Sequence, residues 1–105
     1  VIGRKRKDPV TPETARTVLL RDGMCIRTLL GDDHECRDAF GTPHRPDDLD
    51  RLTLDHVHDG GGMMGRRAKS DPAHLVAVDF GSHLGGWSTA KVNRERVRAY
   101  LERVA

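Results

Sequence analysis

Asp55 and His56 are adjacent in this 105-residue chain, His74 follows 18 residues after His56, and His83 nine residues after that. A carboxylate with two or three imidazoles can hold one divalent cation and still leave a ring nitrogen to act as a base. Imidazole titrates near neutral pH, while the carboxylate stays anionic there. Asp55, His56, His74 and His83 are the candidates for the catalytic and metal-binding roles, which their spacing alone does not divide among them.

The elements needed to position these groups are legible around them. Leu52-Thr53-Leu54 is a short β-type run ending at Asp55-His56, and His74–Val78 is a second apolar run. Between them, Gly60-Gly61-Gly62 disfavours a continued strand. Ser70-Asp71-Pro72 marks a turn, with a helical turn allowed over Pro72–His74. His83 precedes Leu84-Gly85-Gly86, a flexible link, and a helical segment from Ser88 to the end of the chain. The order is strand, long loop, strand, helix, and the two strands are expected to pair antiparallel. Neighbouring strand residues point to opposite faces, so Asp55 and His56 can flank one phosphate only where the strand twists or ends.

The remainder of the chain reads as support. Thr11 can cap a first helix, with Pro12 at its first position, Glu13 at the positive end of the dipole and Asp22-Gly23 as the stop. Ala15, Val18 and Leu19 fall at helical spacing for packing, as do Val97, Tyr100, Leu101 and Val104 near the C-terminus. Between Met24 and Asp50 periodicity fades into turns at Gly31–His34 and Gly41–Pro43, and Asp47–Asp50 reads as a solvated acidic turn. Trp87 is expected to pack beneath the last helix, and His58 to lie at the surface.

With 36% hydrophobic residues and four aromatics, one domain (1–105) with a modest core is the expectation. The net charge of +2 is small, yet Lys and Arg cluster at Arg4–Lys7, Arg66–Lys69 and Lys91–Arg98. Residues 1–10 read as a flexible basic tail. Arg66, Arg67 and Lys69 are predicted phosphate contacts, because guanidinium pairs bidentately with phosphate and local clusters govern binding to polyanions. No apolar run spans a membrane and no signal peptide is visible, so the expected setting is cytoplasmic. Two cysteines make no disulfide framework and agree with a reducing compartment. Cys25 and Cys36 are 11 residues apart, unlike the C-x₂₋₄-C knuckle of zinc sites, so free thiols are expected there even though His34 and His44 lie nearby.

LTLDHV…HLVAVDFGSH, with an RDG-x-C stretch at Arg21–Cys25, resembles the HNH nucleases over roughly residues 52–93. That resemblance implies an α+β fold: a small ββα-metal (His-Me finger) core, with an N-terminal helix, irregular loops and a C-terminal helix. It also implies DNA phosphodiester hydrolysis, in which His56 activates water and Asp55 and His83 hold one divalent ion. Mg²⁺ or Mn²⁺ is the first expectation, with Ni²⁺ or Zn²⁺ also accepted by this ligand set. Small stand-alone members are similar to phage-encoded nucleases that work beside the terminase, which makes DNA and a terminase or other targeting protein the implied partners. Where the family has Asn, this chain has His74, whose ring N–H can still donate to a carbonyl and brace the loop or can approach the metal. Many members also carry two Cys-x-x-Cys pairs around a structural zinc. Here the second pair is replaced by Asp79-Phe80-Gly81-Ser82, which excludes a four-thiolate site and leaves a mixed site with Asp79 and His34 or His44 unexpected. The alternative reading is a non-catalytic ββα module that binds DNA or a protein.

Overall fold

A computed structural model describes residues 10–57 and 70–104. Among them are helices α1 (Pro12–Asp22) and α2 (Ile26–Leu29), then strands β1 (Cys36–Arg37), β2 (Pro43–His44), β3 (Leu52–His56) and β4 (Leu75–Asp79). Helices α3 (Phe80–Leu84) and α4 (Lys91–Val104) complete them. The fold is α+β with two small antiparallel sheets, β1 with β2 and β3 with β4. The basic tail, His58, the glycine triplet and the predicted phosphate contacts Arg66, Arg67 and Lys69 lie outside the described residues. No helix among the described residues is long and apolar enough to cross a membrane.

The start and stop of α1 follow from local chemistry. Thr11 Oγ1 accepts from the Thr14 N–H at 3.1 Å, and Pro12 opens the helix. Gly23 closes it in the left-handed region at φ 72°, where a side chain would be strained. Of the expected apolar face Val18 is fully buried. In the stretch without periodicity, α2 and the β1–β2 pair form from segments too short to show a pattern.

β3 and β4 pair in register from Leu52 opposite Asp79 to His56 opposite Leu75. All five residues of β4 are buried, which explains its unbroken LVAV run in place of an alternating pattern. Burying an aliphatic side chain such as Leu75 or Val76 contributes about 1.5–3 kcal/mol. The opposite side of the core comes from Val97, Tyr100 and Leu101 of α4, with Ile26, Cys25 and Cys36. Val104 is 40% exposed, so the apolar face of α4 ends one turn early.

Two expectations are corrected here. The helix near His83 begins before it, at Phe80, because the Asp79 carboxylate caps the Ser82 N–H at 3.3 Å. The last helix begins at Lys91, since Trp87–Thr89 forms a separate 3₁₀ turn and Ser88 turns inward instead of capping α4. Trp87 packs against the core as expected, with the Arg27 and Arg96 guanidinium groups 5.5 Å and 6.0 Å from its ring centroid.

A polar knot ties these layers together. The buried Asp22 carboxylate accepts from the Ala77 N–H at 2.8 Å and from the Tyr100 hydroxyl at 2.5 Å. Arg21 donates to it at 2.8 Å and also reaches the Pro72 and Leu75 carbonyls at 2.5 Å and 2.7 Å. Burial, with the Asp22 hydrogen bond, pushes the Tyr100 phenol up to about 12. A raised phenol pKa favours the folded state fully below the unfolded value near 10, and that contribution is lost as pH climbs through about 12. Tyr100 is the single tyrosine, so phenolate absorbance reads it directly. The expected midpoint lies well above 10, and Tyr100→Phe should remove the absorbance step and shallow the alkaline loss of stability. A midpoint at the free-tyrosine value would contradict this knot.

Candidate functional site

Two polar clusters flank the β3–β4–α3 segment. The first brings together two of the four predicted chemical residues, Asp55 and His83. Asp55, near the end of β3, meets His83 of α3, with Oδ1 and Nδ1 3.5 Å apart. That distance is too long for a hydrogen bond. His83 Nδ1 is buried and has no hydrogen-bond partner among the described residues. Two donor atoms 3.5 Å apart can each lie about 2.0–2.2 Å from one cation, so the pair fits a shared metal ion. The other oxygen of Asp55, Oδ2, accepts a hydrogen bond from the buried Ser88 hydroxyl. One carboxylate oxygen is thereby held while the other faces His83.

His56 is the last residue of β3. Its Nε2 lies 3.0 Å from Ser70 Oγ, a partner that leads into β4, whereas Asp55 turns to His83 and Ser88. This is the alternation expected of neighbouring strand residues. His74 closes the 3₁₀ turn Pro72–His74 and pairs with Asp71 at 2.5 Å through Nδ1. Its carbonyl accepts from the Val57 N–H at 2.8 Å, which zips the hairpin one step beyond His56. The helical turn over Pro72–His74 is as expected, and the bracing contact runs through the His74 backbone while its ring holds Asp71.

The second cluster brings the two thiols, free as expected, together with Asp79 and His34, the mixed set that the sequence left unexpected. Cys25, His34, Cys36 and Asp79 each direct one donor atom to a common point, all within 4.8 Å of one another, and could hold a metal ion. Cys25 precedes α2, Cys36 opens β1, and Asp79 ends β4. His44 takes no part; its Nδ1 contacts the Arg45 carbonyl at 2.7 Å. Both cysteines are free and buried. Burial pushes the Cys25 thiol up, and burial with the neighbouring Cys25 and Asp79 raises Cys36 to about 12. Burial also works against the Asp79 carboxylate, but hydrogen bonds from Ser82 and the Arg37 N–H outweigh it and hold Asp79 below its ordinary value.

Sequence reasoning missed Ser88 as a partner of Asp55, because a serine ahead of a helix reads first as a cap. It also set aside His34. The available signal was the His-x-Cys spacing of His34 and Cys36, together with an acid placed directly after a wholly apolar strand. No family model, curated protein or solved structure matches this chain.

Proposed function

We propose that the chain is a metal-dependent HNH-type endonuclease that hydrolyses DNA phosphodiester bonds, with β3, β4 and α3 acting as a ββα-metal finger. The observation that carries this reading is the meeting of Asp55 with a His83 ring nitrogen that has no hydrogen-bond partner among the described residues, with His56 next in sequence to Asp55. Asp55 and His83 hold one divalent ion, Mg²⁺ or Mn²⁺ first, with Ni²⁺ or Zn²⁺ also suited to the ligands. Such an ion supplies positive charge to the non-bridging and leaving oxygens of the phosphodiester.

The protein's own groups then divide the remaining work. His56 takes a proton from the attacking water through a ring nitrogen, and the water oxygen bonds to phosphorus as the bond to the 3′ oxygen breaks. Ser70, in contact with His56 Nε2, fixes the plane of that ring. Ser88 orients Asp55 through Oδ2, which leaves Oδ1 toward His83, where the two would hold the ion. Arg66, Arg67 and Lys69 belong to this reading as backbone-phosphate contacts. A phage setting, with a terminase as targeting partner, belongs to it by analogy alone.

The test is nicking of supercoiled plasmid by the full chain with Mg²⁺, Mn²⁺, Ni²⁺ and Zn²⁺ in parallel, and with each metal withheld. Metal-dependent nicking that Asp55→Asn and His83→Ala abolish is the expected result. DNA binding without nicking under any of these ions would replace the enzyme with a binding module. Ser88→Ala makes a finer prediction. Releasing Asp55 Oδ2 should raise the metal concentration needed for half-maximal nicking by about 10–100-fold, with a smaller change in the saturated rate. An unchanged metal requirement would remove Ser88 from the site.

A further inference from the structure

We propose that Cys25, His34, Cys36 and Asp79 bind a zinc ion, and that this ion fixes the junction between β4 and α3. The geometry can be tested against zinc itself. With Zn–S at about 2.3 Å and Zn–N or Zn–O at about 2.0–2.2 Å, a regular tetrahedron has edges of about 3.6 Å from sulfur to nitrogen or oxygen. Its nitrogen-to-oxygen edge is about 3.3–3.4 Å. In this protein His34 Nε2 lies 3.6 Å from Cys25 Sγ and 3.4 Å from Cys36 Sγ. Asp79 Oδ1 lies 3.4 Å from Cys25 Sγ and 3.3 Å from His34 Nε2. These four of the six edges fall within about 0.2 Å of the tetrahedral values, and the other two, from Cys36 Sγ to Cys25 and to Asp79, lie within 4.8 Å.

Hydrogen bonding accounts for the sulfur distances but less well for the separation of His34 and Asp79. A charge-assisted N–H to carboxylate bond settles at about 2.7–2.9 Å, shorter than the 3.3 Å between His34 and Asp79. His34 Nε2 also faces three donor atoms at once, whereas one N–H or one lone pair serves a single partner. A cation at their centre serves all of them. Two thiols, an imidazole and a carboxylate form a donor set for zinc, while Mg²⁺ and Ca²⁺ favour oxygen alone.

The surroundings are arranged as a ligand shell needs. Asp79 Oδ2 accepts from the Arg37 N–H at 3.1 Å and the Ser82 N–H at 3.3 Å, which turns Oδ1 toward the cluster. Cys25 Sγ accepts from the Asp79 N–H at 3.4 Å. Such outer contacts orient ligands and support thiolate charge. Asp79 therefore ligates through one oxygen and caps α3 through the other, so the ion holds the helix that carries His83. It also ties residues 25 and 79, whose connection spans most of the core, and a link across so long a loop limits the unfolded chain. The inference stands on these four side chains and does not require nuclease activity.

The experiment uses the full chain and reads metal and stability, not DNA cleavage. Purified protein is expected to carry one zinc per chain by native mass spectrometry and elemental analysis. Stripping it with a strong chelator should lower the melting temperature by on the order of 10 °C, with recovery on adding Zn²⁺. Cobalt(II) replacing zinc should give visible bands of a tetrahedral site and a thiolate charge-transfer band, both lost in Cys36→Ser. If that variant fails to fold, the cobalt spectrum and chelator response of the unaltered chain decide the matter. His56→Ala should keep its zinc, which separates this site from the proposed nuclease centre. Folded protein with neither zinc nor a tetrahedral cobalt spectrum overturns the proposal, as does a Cys25–Cys36 disulfide with melting unaffected by chelator.

Discussion

His56→Ala is expected to lower metal-dependent nicking of supercoiled DNA by about 10²–10⁴-fold while leaving the fold and DNA binding in place. The size follows from the role. An alkyl side chain offers no acceptor for the proton of the attacking water, so the reaction falls back on a bulk-water base, while charge stabilisation by the metal centre persists. The sparing of the fold follows from position. His56 is only partly buried at the end of β3, and its backbone continues to pair with Leu75. Asp55, His83 and Ser88 contact one another without it. Circular dichroism and melting of the variant should match the parent, and gel-shift binding in Ca²⁺ or without metal should persist. Equal nicking by parent and variant would assign the activity to another base or to a contaminant. Loss of binding together with nicking would make His56 a contact residue instead of a base.

The second large effect concerns stability and uses no assumption about function. Asp22→Ala is expected to destabilise the protein by about 3–5 kcal/mol, because it strips the partners from several buried groups at once. The Ala77 N–H inside β4, the Tyr100 hydroxyl on α4 and the Arg21 guanidinium all donate to this carboxylate. Their desolvation is not recovered when the acceptor is removed, and alanine leaves space without supplying an acceptor. For a domain of this length, the melting temperature should fall by on the order of 15–30 °C. Asp22→Asn keeps the volume and one acceptor oxygen but turns a donor toward donors, so it should fall between parent and alanine variant. A drop of only a few degrees for Asp22→Ala would mean that the knot contributes little and that the apolar core alone carries α1 and α4.

Much of the local structure was readable from residue types alone. Thr11, Pro12 and Gly23 bound α1 because capping and left-handed backbone depend on the residues within one turn. The runs Leu52–Leu54 and Leu75–Val78 make strands, and Val97, Tyr100 and Leu101 make a buried helix face, because these periods are properties of short segments. The Asp55-His56 pair at a strand end was equally visible, since adjacency is a sequence fact. The starts of α3 and α4 were misread where a single polar residue had two uses. Ser88 could cap a helix or reach an acid, and the nearness of Asp55, 33 residues earlier, decided it.

The sequence by itself determined the elements, the acid-imidazole pair and the order in which His83 follows. Only the tertiary structure decided which separated side chains share a point in space. Cys25 and Asp79 lie 54 residues apart, and the thiol spacing lacks the short knuckle by which zinc sites are usually read. They meet because β4 runs through the core beside α2, bringing the end of one element against the start of another. Asp22 reaches Tyr100 for the same reason. Periodicity and capping are set by neighbours along the chain, whereas a ligand cluster or a buried carboxylate knot is set by how finished elements pack.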